Sequence, residues 1–208
     1  MDILSKLFGS AAKVKLMRLF LFNPETAYTT KEITNRAKIS TREAQKELAT
    51  LISFGIVRIK PVRREINVRR RKKIVVKKIE EKGYTLNPKF AYLTALKSLL
   101  TSASVHADES LTQKFAKIGK VKVLIATGVF LQRWDSRVDL LIVADEMSTV
   151  RLEKAIASLE AEIGKEISYS AFDTEDFEYR LGIHDRLIRD ILDFQHTVLV
   201  DRLGIEGK

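Results

Sequence analysis

The sequence predicts a mixed α/β (α+β) chain built in two parts, and three observations carry that expectation. Apolar residues recur at helical spacing through the first 54 positions, a dense run of Lys and Arg mixed with β-branched residues follows, and from Val121 onward short apolar runs alternate with amphipathic stretches. Alternation of strand and helix in the rear part points to a layered α/β arrangement. A chain of 208 residues fits two modules that each bury a workable core, and the expected boundary gives parts 1–88 and 89–208.

The front part reads as three helices. Leu4, Leu7, Phe8, Ala11, Ala12, Val14, Leu16, Leu19, Phe20 and Phe22 fall at helical spacings, with Lys6, Lys13, Lys15 and Arg18 largely between them. That pattern predicts one amphipathic helix over residues 1–22, ending near Asn23 and Pro24. A second helix is expected from Thr29 or Thr30 to Ala37. Ser40 then stands three residues before Glu43, the Ser-x-x-Glu signature of a capping box, so a third helix starts at Thr41. Ala44, Leu48, Leu51, Ile52 and Phe54 mark its inner face, and Gly55 stands where a left-handed cap belongs. Thr41, Arg42, Gln45, Lys46 and Ala49 are left facing outward.

Beyond Gly55, Ile56–Lys60 alternates as a strand, Pro61 ends it, and a second strand is expected over Lys73–Ile79, with the basic residues between them at a hairpin tip. A turn at Glu80–Gly83 leads into Tyr84, Thr85 and Leu86. Asn87 and Pro88 open another helix carrying Phe90, Leu93, Leu96, Leu99 and Leu100, residues 102–108 read as a linker, and Leu111–Ile118 as one further helix. The rear part then offers strands at Val121–Ala126, Val138–Val143, Ile167–Phe172 and Thr197–Val200, with helices at Ser148–Ile163, Glu175–Leu181 and His184–Phe194.

Charge divides the chain as clearly as pattern does. Residues 56–86 hold 12 Lys and Arg against 3 Glu, a net of +9, while residues 121–208 hold 11 against 17 acids, a net of −6. A basic front joined to an acidic rear implies a polyanionic partner for one part only, and clustered cations that neutralise phosphates release condensed counterions. There is no cysteine, which excludes disulfides, thiolate metal sites and a Cys nucleophile. The apolar run Leu16–Phe22 is interrupted by Arg18 and is too short to span a bilayer, so a cytoplasmic protein is expected. His106, His184 and His196 lack metal-ligand spacing, no catalytic triad or phosphate-cradling Gly loop is present, and no cofactor, metal or catalytic residue is expected.

A helix, a tight link, a second helix and a basic hairpin are the parts a winged-helix DNA-binding module needs. An exposed helical face of Thr, Arg, Gln and Lys suits the major groove, where Arg bonds guanine, Gln bonds adenine and Lys takes phosphate. The expected contacts to double-stranded DNA are therefore Ser40, Thr41, Arg42, Gln45 and Lys46 on the helix, with Arg63, Arg64, Arg69, Arg70, Arg71, Lys72 and Lys73 on the hairpin.

The stretches LFGSAAKVKLMRLFLFNP and TTKEITNRAKISTREAQKELATLISFGIVR resemble winged-helix transcriptional regulators. The rear stretches VLIATGVFLQRWDSRVDLLIVAD and GKEISYSAFDTEDFEYRL look like a minimal nucleotidyltransferase domain. The second resemblance implies a Gly-Ser pair after the first strand, two aspartates one residue apart, and a third carboxylate on the next strand, together holding two divalent metals. Here Gly128 precedes Val129, the aspartate pair becomes Arg137, Val138 and Asp139, and Ser168 and Ser170 occupy the third strand, with no acid until Asp173. An Arg in place of a metal-bridging carboxylate plants a positive charge where a cation would sit, so this domain is expected to be inactive. The combined expectation is a DNA-binding transcriptional regulator, pairing as a homodimer, whose C-terminal domain serves dimerisation or takes a ligand or protein partner. The alternatives are a nucleotidyltransferase with an atypical metal site at Asp135 and Asp139, and an RNA-binding protein.

Overall fold

Gly9 and Ser10 decide how the chain begins. Gly9 takes a positive φ of 71° just after a short helix α1 (Ile3–Leu7), and the Ser10 hydroxyl accepts from the Lys13 N–H at 3.2 Å to start α2 (Ala11–Phe22). The helix expected over residues 1–22 is therefore two, because apolar periodicity does not register a left-handed glycine followed by a capping serine. This computed structural model describes residues 3–70, 73–102, 108–133 and 135–205, without the side chains of 66–70, 73–76, 102 and 108–110. The architecture is mixed α and β, with several small sheets. The chain divides into two compact units, residues 1–100 with 161–165, and residues 101–160 with 166–208.

In the first unit, β1 (Tyr28–Thr29) leads into α3 (Thr30–Ala37) and α4 (Thr41–Ser53). The unit also holds β2 (Val57–Ile59) and β5 (Gly83–Leu86), and these three strands form an antiparallel sheet in the order β1-β5-β2. Leu16 and Phe20 of α2, Ile33 of α3 and Ala44 and Leu51 of α4 have no exposed surface. Each large apolar side chain so buried stabilises the fold by about 1.5–3 kcal/mol. Two charges go inside with them. Glu47 is buried on the inner face of α4 with Lys13 Nζ at 3.6 Å, and Arg18 is buried with its Nε donating to the Leu100 carbonyl at 3.4 Å. α5 (Leu93–Ser102) falls mostly in this unit, whereas the sequence boundary at residue 88 lies before it.

Between β2 and β5 the chain runs out and back as a separate two-stranded ribbon, β3 (Val62–Arg70) and β4 (Lys73–Glu81), paired antiparallel from Val62↔Glu81 to Arg70↔Lys73. This corrects the expected hairpin. The 56–60 strand pairs with β5, and much of the presumed tip is itself a strand. Val62, Ile66 and Val68 alternate as a strand should, but the surrounding charge run hides the period. Gly83 marks the junction: a Cβ there would come within 2.6 Å of the Lys60 carbonyl and 2.5 Å of the Val62 side chain.

The second unit contains α6 (Asp108–Phe115), β6 (Lys120–Ala126), a 3-10 turn at Gly128–Leu131, β7 (Leu140–Asp145) and most of α7 (Thr149–Ile163). It continues with β8 (Tyr169–Phe172), α8 (Thr174–Gly182), α9 (Arg186–Asp193) and β9 (Thr197–Asp201). The four strands make one sheet in the order β8-β7-β6-β9, in which β7 and β8 are parallel and the other pairs antiparallel. A parallel pair needs a crossover, and α7 supplies it. β6 and β7 are central, so Val123, Leu124, Ile125, Leu141, Ile142 and Val143 are buried on both faces of the sheet. Phe177 of α8 and Ile188 and Ile191 of α9 close one side of that core.

Candidate nucleic-acid interface

α3 and α4 are started by the same device. The Thr29 hydroxyl accepts from the Glu32 N–H while the Glu32 carboxylate takes the Thr29 N–H at 2.8 Å, and Ser40 and Glu43 repeat the exchange at 3.2 and 2.9 Å. Between the helices Lys38 adopts a left-handed conformation (φ 50°) and its N–H caps the Thr34 carbonyl, which keeps the link short. α4 therefore begins at a fixed point, and its register follows from Ala44, Glu47, Leu48 and Leu51 turning inward. Thr41, Arg42, Gln45, Lys46 and Ala49 are all exposed, forming an unbroken outer stripe at spacings of three and four. Ser40 is exposed too, yet its hydroxyl is engaged by Glu43 Oε2 at 2.6 Å, so its first duty is to cap the helix. The Ser40 hydroxyl and N–H hold the Glu43 carboxyl below its ordinary value, so an ionised acid accompanies the cations at the start of the stripe.

On the ribbon the described cations are already partnered in part. Arg63 donates from Nε to Glu80 Oε2 at 3.0 Å, its register partner across the strands, and Lys78 lies 3.5 Å from Glu65. Arg64 pairs with Glu32, tying the base of the ribbon to the first turn of α3. Burial pulls the Glu32 carboxyl upward, but the Thr29 N–H, the Thr29 hydroxyl and the Arg64 guanidinium outweigh it and hold the group below its ordinary value. Near the base part of the charge is offset within the ribbon: Arg63 stands opposite Glu80 and Lys78 opposite Glu65. The surplus lies further out, in the unbroken run 69–73. The backbones of Arg69, Arg70 and Lys73 are in the paired strands, their side chains lie outside the described residues, and Arg71 and Lys72 lie outside them altogether. A strand of nine residues extends about 30 Å, close to one helical turn of a DNA duplex.

In the second unit Gly128, Asp139 and Ser168, three of the positions singled out in the sequence, come together, while Asp135, Arg137 and Asp173 have other partners. Asp139 is 5% exposed, with Oδ1 accepting from the Val129 N–H at 2.7 Å and Oδ2 from the Ser168 N–H at 3.0 Å. Gly128, at φ 52°, has no room for a side chain, because a Cβ there would collide with Asp139 Oδ1. Asp135 is exposed and bonded to Arg133 at 3.2 Å, which holds its carboxyl below the ordinary value. Arg137 lies 3.5 Å from Asp190, and Asp173 caps α8 by accepting from the Asp176 N–H. His184 takes a positive φ, and the cap of α9 is its neighbour Asp185, which accepts from the Leu187 and Ile188 N–H groups. Among the described residues, no three His, Cys, Asp or Glu side chains are grouped to hold a metal, and no helix is long and apolar enough to cross a membrane.

Comparison of the chain with protein-family models, with curated proteins and with solved structures gives no match. The reading of function therefore rests on this geometry. What the sequence missed is the partnering: Glu47 and Glu32 look like ordinary surface acids of amphipathic helices, and nothing in their spacing reveals Lys13 or Arg64 beside them.

Proposed function

We propose that the chain is a DNA-binding transcriptional regulator whose first unit is a winged helix-turn-helix. α4 is its recognition helix and the β3–β4 ribbon its wing. The observation that carries this reading is the exposed stripe Thr41, Arg42, Gln45 and Lys46 on a helix fixed by a capping box, in the same unit as a ribbon ending in five consecutive cations. Side chains of this kind on a helix can read base edges, while Lys and Arg on an extended arm neutralise phosphates without reading sequence. The second unit, nucleotidyltransferase-like but with its one buried family aspartate engaged by backbone N–H groups, serves dimerisation or ligand sensing.

The test is selection of bound fragments from random duplex DNA, followed by titration across salt. Affinity is expected to fall steeply with salt, and replacing Arg69, Arg70 and Arg71 by Gln should make the slope shallower by up to about 3. Binding that ignores salt, or a duplex RNA that outcompetes the selected DNA, would overturn the reading.

A further inference from the structure

One cleft runs against the charge of the unit that holds it. The second unit has 13 Lys and Arg against 18 Asp and Glu, a net of −5. Five of those cations, Lys114, Lys117, Lys120, Arg151 and Lys154, nevertheless line a single cleft of about 770 Å³ together with the acid Glu146.

The backbone fixes where they stand. Lys114 comes from the last turn of α6, Lys117 from the turn after it, Lys120 opens β6, and Arg151 and Lys154 lie three residues apart on the first half of α7. The two sources are locked together at Gly119, where a Cβ would sit 2.6 Å from the Asp145 carbonyl, and by the Ser148 N–H donating to the Ile118 carbonyl at 2.8 Å. Arg151 donates to the Lys117 carbonyl at 3.2 Å, which holds its guanidinium against the same turn. Glu146 is bonded to Lys120 at 2.6 Å and so neutralises that cation. Lys117 and Lys154 are exposed and have no ion-pair partner among the described residues.

The shape decides the class of ligand. A small molecule is held by enclosure, with most of its surface buried among apolar walls. This cleft is open, and its five long cationic side chains stand among the small or apolar Ala116, Ile118 and Ala155, which suits a ligand whose charge continues past its edges. We propose that it is a second contact for the phosphate backbone of nucleic acid, carried by the unit that has no recognition helix. The inference rests on the DNA-binding reading above and extends it to the other unit.

The experiment titrates a fluorescent duplex with the full chain across salt, comparing wild type with the double variant Lys117→Gln, Lys154→Gln. Both positions are exposed, so thermal unfolding should match wild type and serves as the folding control. The expected result is a salt slope shallower by about 2 and binding roughly 30-fold weaker near 0.15 M salt, with recovery in Lys117→Arg, Lys154→Arg. If the double variant binds as wild type does while the Arg69, Arg70, Arg71 variant weakens, this inference falls and the DNA reading stands. If wild type binds no duplex, both fall. Loss of inorganic triphosphate binding with duplex binding intact would assign the cleft to a small phosphorylated ligand and overturn the proposal.

Discussion

The β3–β4 ribbon and the β8-β7-β6-β9 sheet are both made of paired strands, but different forces hold them. Leu141, Ile142 and Val143 at the centre of the sheet have no exposed surface, whereas the Arg63 side chain on the ribbon is 86% exposed and its Glu80 partner 54%. Exposed ion pairs of this kind contribute little, about 0–1 kcal/mol each, so at Arg63 and Glu80 the ribbon gains more from backbone pairing than from charge. Where burial sets the stability, side chains are dictated by packing; where the backbone sets it, they can be chosen for charge. The same chain thus contains a scaffold and a surface that can be written over.

Mutations can break that contrast. The largest expected effect is at Phe177, which has no exposed surface: Phe177→Ala should cost about 3–5 kcal/mol in urea unfolding, whereas Ile79→Ala on the ribbon should cost at most about 1. A greater loss at Ile79 would reverse the assignment of forces. Next comes Asp139→Asn, which turns an amide NH₂ toward one of two backbone donors and should cost about 1–3 kcal/mol. An unshifted denaturation midpoint would show that those two bonds contribute nothing to the scaffold. The smallest effect is a pH dependence at the ribbon's base. Because the folded Glu32 carboxyl titrates below its ordinary 4.5, the unfolded chain binds its proton first as pH falls. The contribution is complete above the ordinary value and is lost as pH drops through the depressed one. Glu32→Gln should flatten this part of the acid limb of unfolding followed by circular dichroism, and an unaltered limb would mean that neither the Thr29 bonds nor the Arg64 contact favours the ionised carboxyl.

What the sequence reveals, and what it conceals, follows from the range of each interaction. The Ser40 capping box is visible because both partners lie within four residues, and the outward stripe of α4 follows from a period of 3.6 once the cap sets the start. The four strands of the second unit show as apolar runs, although their boundaries move, with Val138–Val143 becoming Leu140–Asp145. Strand direction and order were not legible, since they depend on where α7 returns the chain. β3 was hidden because the period of Val62, Ile66 and Val68 is interrupted by Arg64 and set among charged neighbours. Of the candidate site, the helical half was readable; the ribbon's partners, Glu32 for Arg64 and Glu80 for Arg63, depend on pairings between residues far apart in sequence.

The junction at Gly83 gives the ribbon a property of its own. The chain leaves the three-stranded sheet beside Lys60 and rejoins it at that glycine, and between them residues 62–70 and 73–81 form a length of paired backbone appended to a finished core. Strand pairing repeats every two residues, about 6.8 Å. Trimming or extending both arms by one such repeat would change the reach by that step and keep every remaining side chain on its original side, while an odd change would exchange the two sides. The protrusion is thus an adjustable gauge, whose span can be reset in fixed increments without disturbing the body that carries it.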